Sequence, residues 1–254
     1  MDPRALRTIG LHGGGEDEVA VEEPLEIRVG GKPVAVTMRT PGDDEDLALG
    51  FLHGEGLIDE PRRVGAADDL AANAVEVEGP PLRPPAERSF YATSSCGVCG
   101  KGAIEQLAVI SIPPQPGPFV SAELLAALPE RLVQPGFERS GGLHATGLFD
   151  ARGELIICRE DVGRHNAMDK VIGWALRSNR LPLHQQILCV SGRLSFELVQ
   201  KAAVAGAPIV VGVGAASSLA ISSAAERGIT LAGFARAGSL RLYCGAERVR
   251  GGPA

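Results

Sequence analysis

Two cysteines three positions apart offer the most distinctive chemistry in the sequence. They stand in the stretch TSSCGVCGKG, residues 93–102, of a chain that has five cysteines in all. A pair with this spacing can close a disulfide, supply half of a metal site or carry a reactive sulfur. Cys96 and Cys99 are therefore the first candidates for a functional role.

The residues after the pair favour a reactive thiolate. The stretch KGAIEQLAVI, residues 101–110, has the apolar spacing of a helix, so the pair is expected at a helix N-terminus. There the helix dipole stabilises a thiolate, and Lys101 adds a positive charge. Gly97, Gly100 and Gly102 let the loop move towards a partner. An accessible thiolate of low pKa is the nucleophile that thiol exchange and sulfane-sulfur transfer both require.

A zinc site and a thioredoxin-type redox site are the alternatives for this pair. A structural zinc site needs two more ligands, usually a second close pair, whereas the other three cysteines stand singly. His144 lacks the glutamate two positions later that deaminase-type zinc catalysis uses. A thioredoxin-type pair directly follows the first strand of a βαβ unit, but this pair lies between proline-rich stretches at 79–87 and 111–118. We expect no metal bound by the chain.

A second set of candidates follows the strands of the last third of the chain. There QILCVSG, SFELVQKAAVAG, PIVVGVG, SSLAISSAAERG and ITLAGFAR read as strand, helix, strand, helix and strand. This alternation predicts an α/β domain whose parallel or mixed sheet is covered by helices. Each predicted strand leads into a glycine-bearing polar loop, at 191–193, 212–218 and 233–239. Ligands bind beyond the carboxyl ends of such strands.

These loops suit a phosphate-bearing ligand. Backbone N–H groups at helix N-termini can bind phosphates, and Arg193 and Arg236 add planar, bidentate donors. No Walker or GxGxxG motif is present. The alternative is that these are ordinary turn glycines and surface arginines. Three similar loops at successive strand ends favour a nucleotide-like ligand.

Two further clusters of polar residues have both a functional and a structural interpretation. The stretch CREDVGRHNAMDK, residues 158–170, joins a predicted strand to a predicted helix. Within it His165 is a candidate general acid or base, or a member of a structural hydrogen-bond network, and His144 has the same two interpretations. The acidic residues 43–46 fit the first turn of a predicted helix through its dipole, with a direct role at a site as the alternative.

Composition limits the function classes. The net charge of −6 and the pI near 5.5 argue against a broad nucleic-acid-binding surface. The N-terminus has no apolar stretch long enough for a signal peptide, and the longest weakly polar run is broken by Gly, Pro and Ser. Single cysteines inside apolar stretches are typical of reduced thiols in the cytosol. We expect a cytoplasmic protein that contacts neither nucleic acid nor membrane.

Composition along the chain predicts four segments. They are a disordered tail at 1–20, a small α+β domain at 21–93, a mobile Cys-x-x-Cys loop with a helix and a proline-rich connector at 94–120, and the α/β domain at 121–254.

Several elements have local signals of their own. The alternating stretch 22–38 predicts a hairpin that turns at Gly30 and Gly31. A strand pair is expected around a turn at 151–153. A helix is expected over 163–179, with an apolar stripe at Met168, Val171, Ile172 and Ala175. Ser195 and Ser217 are expected as N-caps, and Gly206 and Gly228 as the glycines that end helices.

Five stretches taken in order carry a resemblance to a known family. They are TPGDDEDLALGFLHGEGLI, SSCGVCG, EDVGRHNAMDKVIG, SGRLSFELVQKAAVAGAPI and GITLAGFAR. The chain resembles the formate dehydrogenase accessory sulfurtransferases over residues 22–245. Single glycine loops are weak signals, but the ordered set is specific.

The resemblance implies a cytoplasmic sulfurtransferase. Such a protein accepts sulfane sulfur from a cysteine desulfurase as a persulfide on the Cys pair. It passes the sulfur to the bis(molybdopterin guanine dinucleotide) molybdenum cofactor of a formate dehydrogenase, so that cofactor is a bound substrate and guanosine diphosphate an analogue of it. The implied fold is cytidine-deaminase-like α/β, a three-layer sheet with helices on both faces, plus a smaller α+β N-terminal domain. Family members form homodimers.

The resemblance also assigns residues. Cys96 matches the persulfide-carrying position, and Cys99 matches its partner. The stretch assigned to the guanine nucleotide end of the cofactor comprises Phe234, Ala235, Arg236, Ala237, Gly238 and Ser239. By hypothesis Arg193 and Arg236 hold phosphates and His165 handles protons near the molybdenum.

The sequence departs from the family pattern at two places. Residues 212–218 read GVGAASS where relatives have a more polar run resembling Ser-Arg-Ala-Pro-Thr, and Gly30 stands where Asn is common.

Two rival functions remain. The first rival is a chaperone that inserts the cofactor without moving sulfur. The second is a zinc-dependent hydrolase.

Overall fold

Strands and helices follow the sequence patterns over much of the chain. The computed structural model describes residues 1–67, 73–85 and 116–251. The strands are β1 Leu6–Gly10, β2 Glu16–Ala20, β3 Glu23–Val29, β4 Lys32–Arg39, β5 Val64–Ala66, β6 Ala74–Val77, β7 Val120–Ser121, β8 His144–Asp150, β9 Leu155–Asp161, β10 Gln186–Val190, β11 Ile209–Gly212, β12 Thr230–Arg236, β13 Ser239–Cys244 and β14 Val249–Arg250. The helices are α1 Asp44–Gly54, α2 Ala122–Ala127, α3 Pro135–Ser140, α4 Arg164–Arg177, α5 Phe196–Val204 and α6 Ser218–Glu226, with 3₁₀ helices at Leu128–Arg131 and Ala246–Arg248.

The chain forms two compact units, each assembled from separate stretches. Unit 1 comprises 1–109, 134–144 and 160–179, and unit 2 comprises 110–133, 145–159 and 180–254. The predicted segments at 21–93, 94–120 and 121–254 are contiguous, so the observed division differs from them. The division differs because tertiary packing joins stretches that are distant in the sequence, since α4 packs on α1 within unit 1.

Unit 1 contains a four-stranded sheet in the order β4-β3-β6-β5. Strands β3 and β4 form the predicted hairpin, and Gly30 and Gly31 between them have φ of +58° and +76°. Positive φ at both turn positions is what a tight two-residue hairpin turn requires, and glycine meets it without strain. The hairpin prediction is confirmed.

Residues 1–20 differ from the predicted disordered tail. Strands β1 and β2 pair antiparallel from Leu6 to Ala20, around a turn that contains three glycines of positive φ. The Arg139 side chain on α3 binds Glu18, with 2.8 Å from Nε to Oε2, and this hydrogen bond lowers the pKa of the Glu18 carboxyl. Strand β2 packs on α3, and contacts with a helix far along the chain leave no local signal in the sequence.

A glycine pair lets α1 and α4 approach closely in unit 1. A Cβ on Gly173 would lie 1.8 Å from the Asp46 carbonyl oxygen, and one on Gly50 would lie 1.9 Å from the Asp169 carbonyl oxygen. The two backbones therefore touch at this crossing. The predicted α4 stripe is confirmed, since Met168, Val171, Ile172 and Ala175 are fully buried.

Unit 2 is built on a six-stranded sheet in the order β13-β12-β11-β10-β8-β9. Strands β10, β11 and β12 are parallel, whereas β8 and β13 run antiparallel to their neighbours. On one face Ile187, Val211 and Ala232 join a core with residues of α2 and the first 3₁₀ helix. On the other face the Cys244 thiol reaches the Ile221 carbonyl of α6, 4.0 Å away. Helices thus cover both faces, and the α/β class is confirmed.

The predicted helix ends of unit 2 are also confirmed. Ser195 and Ser217 are the N-caps of α5 and α6, and the Ser217 hydroxyl accepts a hydrogen bond from the Ala220 N–H. Gly206 and Gly228 follow the last turns with φ of +73° and +65°. Within the ranges that the structure covers, no helix has both the length and the hydropathy to cross a bilayer.

Candidate functional site

The carboxyl ends of three parallel strands meet at one edge of the unit 2 sheet. The chain leaves β10 at Ser191, leaves β11 at Val213 and continues along β12 into a hairpin with β13. We define the strand-end surface as residues 191–194, 213–217 and 234–239. It contains the predicted candidates Arg193 and Phe234 to Ser239.

Backbone hydrogen bonds join the three segments of the strand-end surface. The Gly214 N–H donates to the Gly192 carbonyl at 3.0 Å, and the Phe234 N–H donates to the Gly214 carbonyl at 3.1 Å. The Leu194 N–H donates to the Ala215 carbonyl at 2.9 Å. Gly214 therefore connects the segment that carries Arg193 with the segment that carries Phe234, and the predicted loops form one continuous backbone surface.

Glycine is required where these segments touch. A Cβ on Gly214 would lie 3.0 Å from the Arg193 Cα and backbone N, and one on Gly233 would lie 2.8 Å from the Gly214 carbonyl oxygen. Both contacts are with backbone atoms, which cannot rotate away as a side chain can. Gly214 and Gly233 therefore have a structural role, because they let neighbouring segments of the chain approach closely.

The third predicted loop is in fact the end of a hairpin. Strand β12 continues to Arg236, which pairs with Ser239 of β13, and Gly238 of the intervening turn has a φ of +74°. The prediction of a polar loop over 233–239 is wrong because an irregular register after Gly233 lets the strand run past the end of β11. The hairpin therefore extends past the end of β11, with Ala235 buried in the core and Phe234 and Arg236 exposed.

The strand-end surface is cationic and partly apolar. Arg193 and Arg236 are exposed, and none of the three segments contains Asp or Glu. Val213 and Phe234 are 42% and 39% exposed, and Leu219 in the first turn of α6 is 53% exposed. Exposed arginine donors favour an anionic ligand, and exposed apolar side chains favour one that also has flat or apolar parts.

Sequence reasoning missed one arginine beside this surface. The Arg241 guanidinium of β13 lies over the Phe234 ring, 4.4 Å from its centroid. The alternation Ser-Leu-Arg-Leu in β13 indicates that Arg241 and Leu242 face opposite ways. This alternation does not predict the contact between Arg241 and the Phe234 ring, because Phe234 adopts a left-handed backbone with φ of +50° that the sequence does not predict.

The cluster at residues 158–170 includes a buried network in unit 1. Lys170 and Asp161 are 1% and 0% exposed and form an ion pair of 2.8 Å between Nζ and Oδ2. Lys170 also donates to the Thr40 and Glu160 carbonyls, and Asp161 accepts from the Thr40 and Gly163 N–H groups and from the Asn166 amide. The structural interpretation holds for these residues.

His165 and the acidic residues 43–46 also belong to unit 1. His165 is partly buried in the first turn of α4, and His144 is partly buried at the start of β8. Asp44 binds Arg39, with 2.9 Å between Oδ1 and Nε, and Asp46 is paired with Arg177 at 2.7 Å. Asp44, Glu45 and Asp46 lie in the first turn of α1, as the structural interpretation predicts, and Asp43 is the N-cap residue.

Cys96 and Cys99 lie outside the described residues. Of the other cysteines, Cys189 is fully buried and Cys244 is partly buried, and burial raises the pKa of both thiols. Both are therefore poor nucleophiles near neutral pH. Across the ranges that the structure describes, no group of three or more His, Cys, Asp or Glu side chains is arranged to hold a metal ion.

The chain is similar to known proteins over nearly its whole length. Residues 20–250 match the model of the FdhD/NarQ family. The sulfur carrier protein FdhD of Streptomyces coelicolor is 50% identical over 251 residues, with 92% of this chain and 89% of that protein covered. The protein of the same name from Sulfolobus acidocaldarius is 43% identical, with 94% of each chain covered. A crystal structure from Desulfotalea psychrophila, of a protein proposed to be a formate dehydrogenase accessory protein, has a TM-score of 0.74 and 24% identity over 96% of this chain and 97% of that one.

Proposed function

The chain belongs to the FdhD/NarQ family, and we propose that it carries sulfur needed for formate dehydrogenase activity. In this proposal a cysteine desulfurase supplies sulfane sulfur to Cys96. The sulfur then passes to the bis(molybdopterin guanine dinucleotide) molybdenum cofactor, which is the bound substrate. Support comes from the name shared by the curated relatives, from the Cys-x-x-Cys pair in the sequence and from the strand-end surface.

Sulfur transfer to Cys96 is a thiol–persulfide exchange. The Cys96 thiolate attacks the terminal sulfur of the desulfurase persulfide, a new S–S bond forms on Cys96, and the desulfurase cysteine leaves as a thiolate. No external oxidant is needed. Cys99 can then attack the Cys96 Sγ, which forms a disulfide and releases hydrosulfide to the molybdenum site. A cellular thiol afterwards reduces that disulfide.

The joining of three strand ends through Gly214 is the observation that carries the substrate-binding part of the proposal. It places Arg193 and the Phe234 hairpin on one continuous backbone surface without acids. A guanine nucleotide has anionic phosphates and a flat base, so both kinds of side chain have a matching group. We propose that Phe234 to Ser239 contact the guanine nucleotide end, that Arg193 and Arg236 bind its phosphates and that His165 handles protons.

Three further proposals rest on the resemblance. Unit 2 has a cytidine-deaminase-like fold, which is consistent with a six-stranded mixed sheet covered on both faces. The chain acts as a homodimer, and it acts in the cytoplasm.

The sulfur-carrying role is tested by intact-mass spectrometry after incubation with a cysteine desulfurase and cysteine. The wild-type chain should gain the mass of sulfur on Cys96, and Cys96→Ala should abolish the gain because the accepting thiolate is gone. Cys158→Ala is the matched control, since Cys158 is a partly exposed thiol that stands singly in the sequence. Absence of added sulfur from the wild-type chain, or its full retention in Cys96→Ala, would reject the proposal.

A cofactor-inserting chaperone is the second candidate function. It is favoured by the strand-end surface, whose three segments contain no cysteine. The Cys96→Ser, Cys99→Ser double variant separates the two functions. A chaperone should still activate formate dehydrogenase with this variant, whereas a sulfur carrier should lose activation while keeping its affinity for guanosine diphosphate. Activation by the double variant at the wild-type level would favour the chaperone.

A further inference from the structure

Phe234 is held in an unusual way for an aromatic residue. Its φ of +50° lies in the left-handed region, which a bulky side chain rarely occupies. Its neighbours Gly233 and Ala235 are buried, yet Phe234 itself is 39% exposed. Local strain of this kind concentrates at ligand-binding positions, where surrounding structure maintains it.

Arg241 is positioned to hold the Phe234 ring in place. Arg241 pairs across the hairpin with Gly233, the residue before Phe234, and its guanidinium lies 4.4 Å from the ring centroid. Tyr243 packs beside Gly233, where a Cβ would lie 2.9 Å from the Tyr243 ring.

We propose that Arg241 is a positioning residue that holds the Phe234 ring as a stacking platform for the purine base of the ligand. This inference rests on the proposed binding of a guanine nucleotide at the strand-end surface. The guanidinium contacts one face of the ring, and the base stacks on the remaining exposed part. A cation over an aromatic ring is attracted to it, and bases stack on aromatic side chains of nucleotide-binding surfaces.

The arginines at the two ends of the ligand have different roles in this proposal. Arg193 and Arg236 lie in the strand-end segments and bind phosphates directly, whereas Arg241 acts through Phe234 on the base. Loss of Arg241 should therefore weaken a ligand that has a base and leave a ligand that has only phosphates unaffected. This difference separates a positioning role from a general contribution of positive charge.

Titration calorimetry on the full chain with guanosine diphosphate and with inorganic pyrophosphate tests the inference. Arg241→Met should weaken guanosine diphosphate binding about fivefold and leave pyrophosphate binding at the wild-type level. Arg241→Lys keeps a cation over the ring and should restore most of the lost affinity. Arg236→Gln should weaken both ligands, because it removes a phosphate donor.

Arg250→Met is the matched control. It removes a similar contact of unit 2, in which the Arg250 guanidinium lies 5.4 Å from the centroid of the exposed Phe119 ring. It should leave both affinities unchanged. Equal weakening of both ligands by Arg241→Met would overturn the positioning role while leaving the nucleotide site in place. A wild-type chain that binds neither ligand would overturn the nucleotide site, and the role of Arg241 with it.

Discussion

A Gly173→Ala chain is expected to lose about 3 kcal/mol or more of unfolding free energy, because the new methyl group overlaps the backbone of α1. The added Cβ would lie 1.8 Å from the Asp46 carbonyl oxygen and 2.7 Å from the Gly50 amide nitrogen. Only a shift of one helix relative to the other relieves this overlap. Alanine in a helix interior normally stabilises by about 1 kcal/mol relative to glycine. A loss of unfolding free energy in Gly173→Ala, rather than a gain, would therefore indicate the overlap by itself.

Urea denaturation monitored by circular dichroism measures this effect. Gly65→Ala in β5 is the matched control, since a Cβ there meets nothing within 4 Å and the residue has no positive φ. The control should have a midpoint close to that of the wild-type chain. Equal midpoints for Gly173→Ala and Gly65→Ala would show that α1 and α4 do not cross as described.

Lys170→Met is expected to cost about 3–5 kcal/mol of unfolding free energy, because it leaves the Asp161 carboxylate buried without its cation. Asp161 is 0% exposed, and its remaining partners are N–H groups of Thr40, Gly163 and Asn166. Those groups donate hydrogen bonds but carry no net charge. Neutralising the acid as well, in Asp161→Asn with Lys170→Met, should recover part of the loss.

The same denaturation experiment, run on both single variants and the double variant, gives the coupling between the two residues. Arg4→Met is the control, because it removes a cation from an ion pair of unit 1 in which the Arg4 side chain is 61% exposed. Exposed pairs contribute under about 1 kcal/mol, so this variant should change little. Additive losses for Lys170 and Asp161 would contradict the buried pair.

The elements that the sequence predicts well are those with local signals. The turn at Gly30 and Gly31 and the caps at Ser217 and Gly228 depend on residues within a few positions of each other. The β1–β2 hairpin was missed because its glycine-rich, acidic stretch resembles a disordered tail. The hairpin contacts helix α3, more than a hundred positions later in the chain, and the Arg139–Glu18 ion pair is one of those contacts.

The meeting of the candidate loops could be predicted from the sequence, but their contacts could not. Successive strand ends with glycines and arginines indicated that these loops share one edge of the sheet, because parallel strands bring those ends together. The contact between Arg241 and Phe234 depends on an irregular register and a left-handed residue. The joining role of Gly214 depends on which loops become neighbours. Neither follows from residue types and spacing.

The discontinuous course of unit 1 has a consequence for synthesis on the ribosome. Unit 1 contains α1, yet α4, with Lys170 and Gly173, is translated only after residues 145–159 of unit 2. A nascent chain that ends before residue 160 therefore exposes the α1 surface that α4 later covers. Unit 1 therefore cannot complete its core until residues 110–133 and 145–159 of unit 2 have been translated.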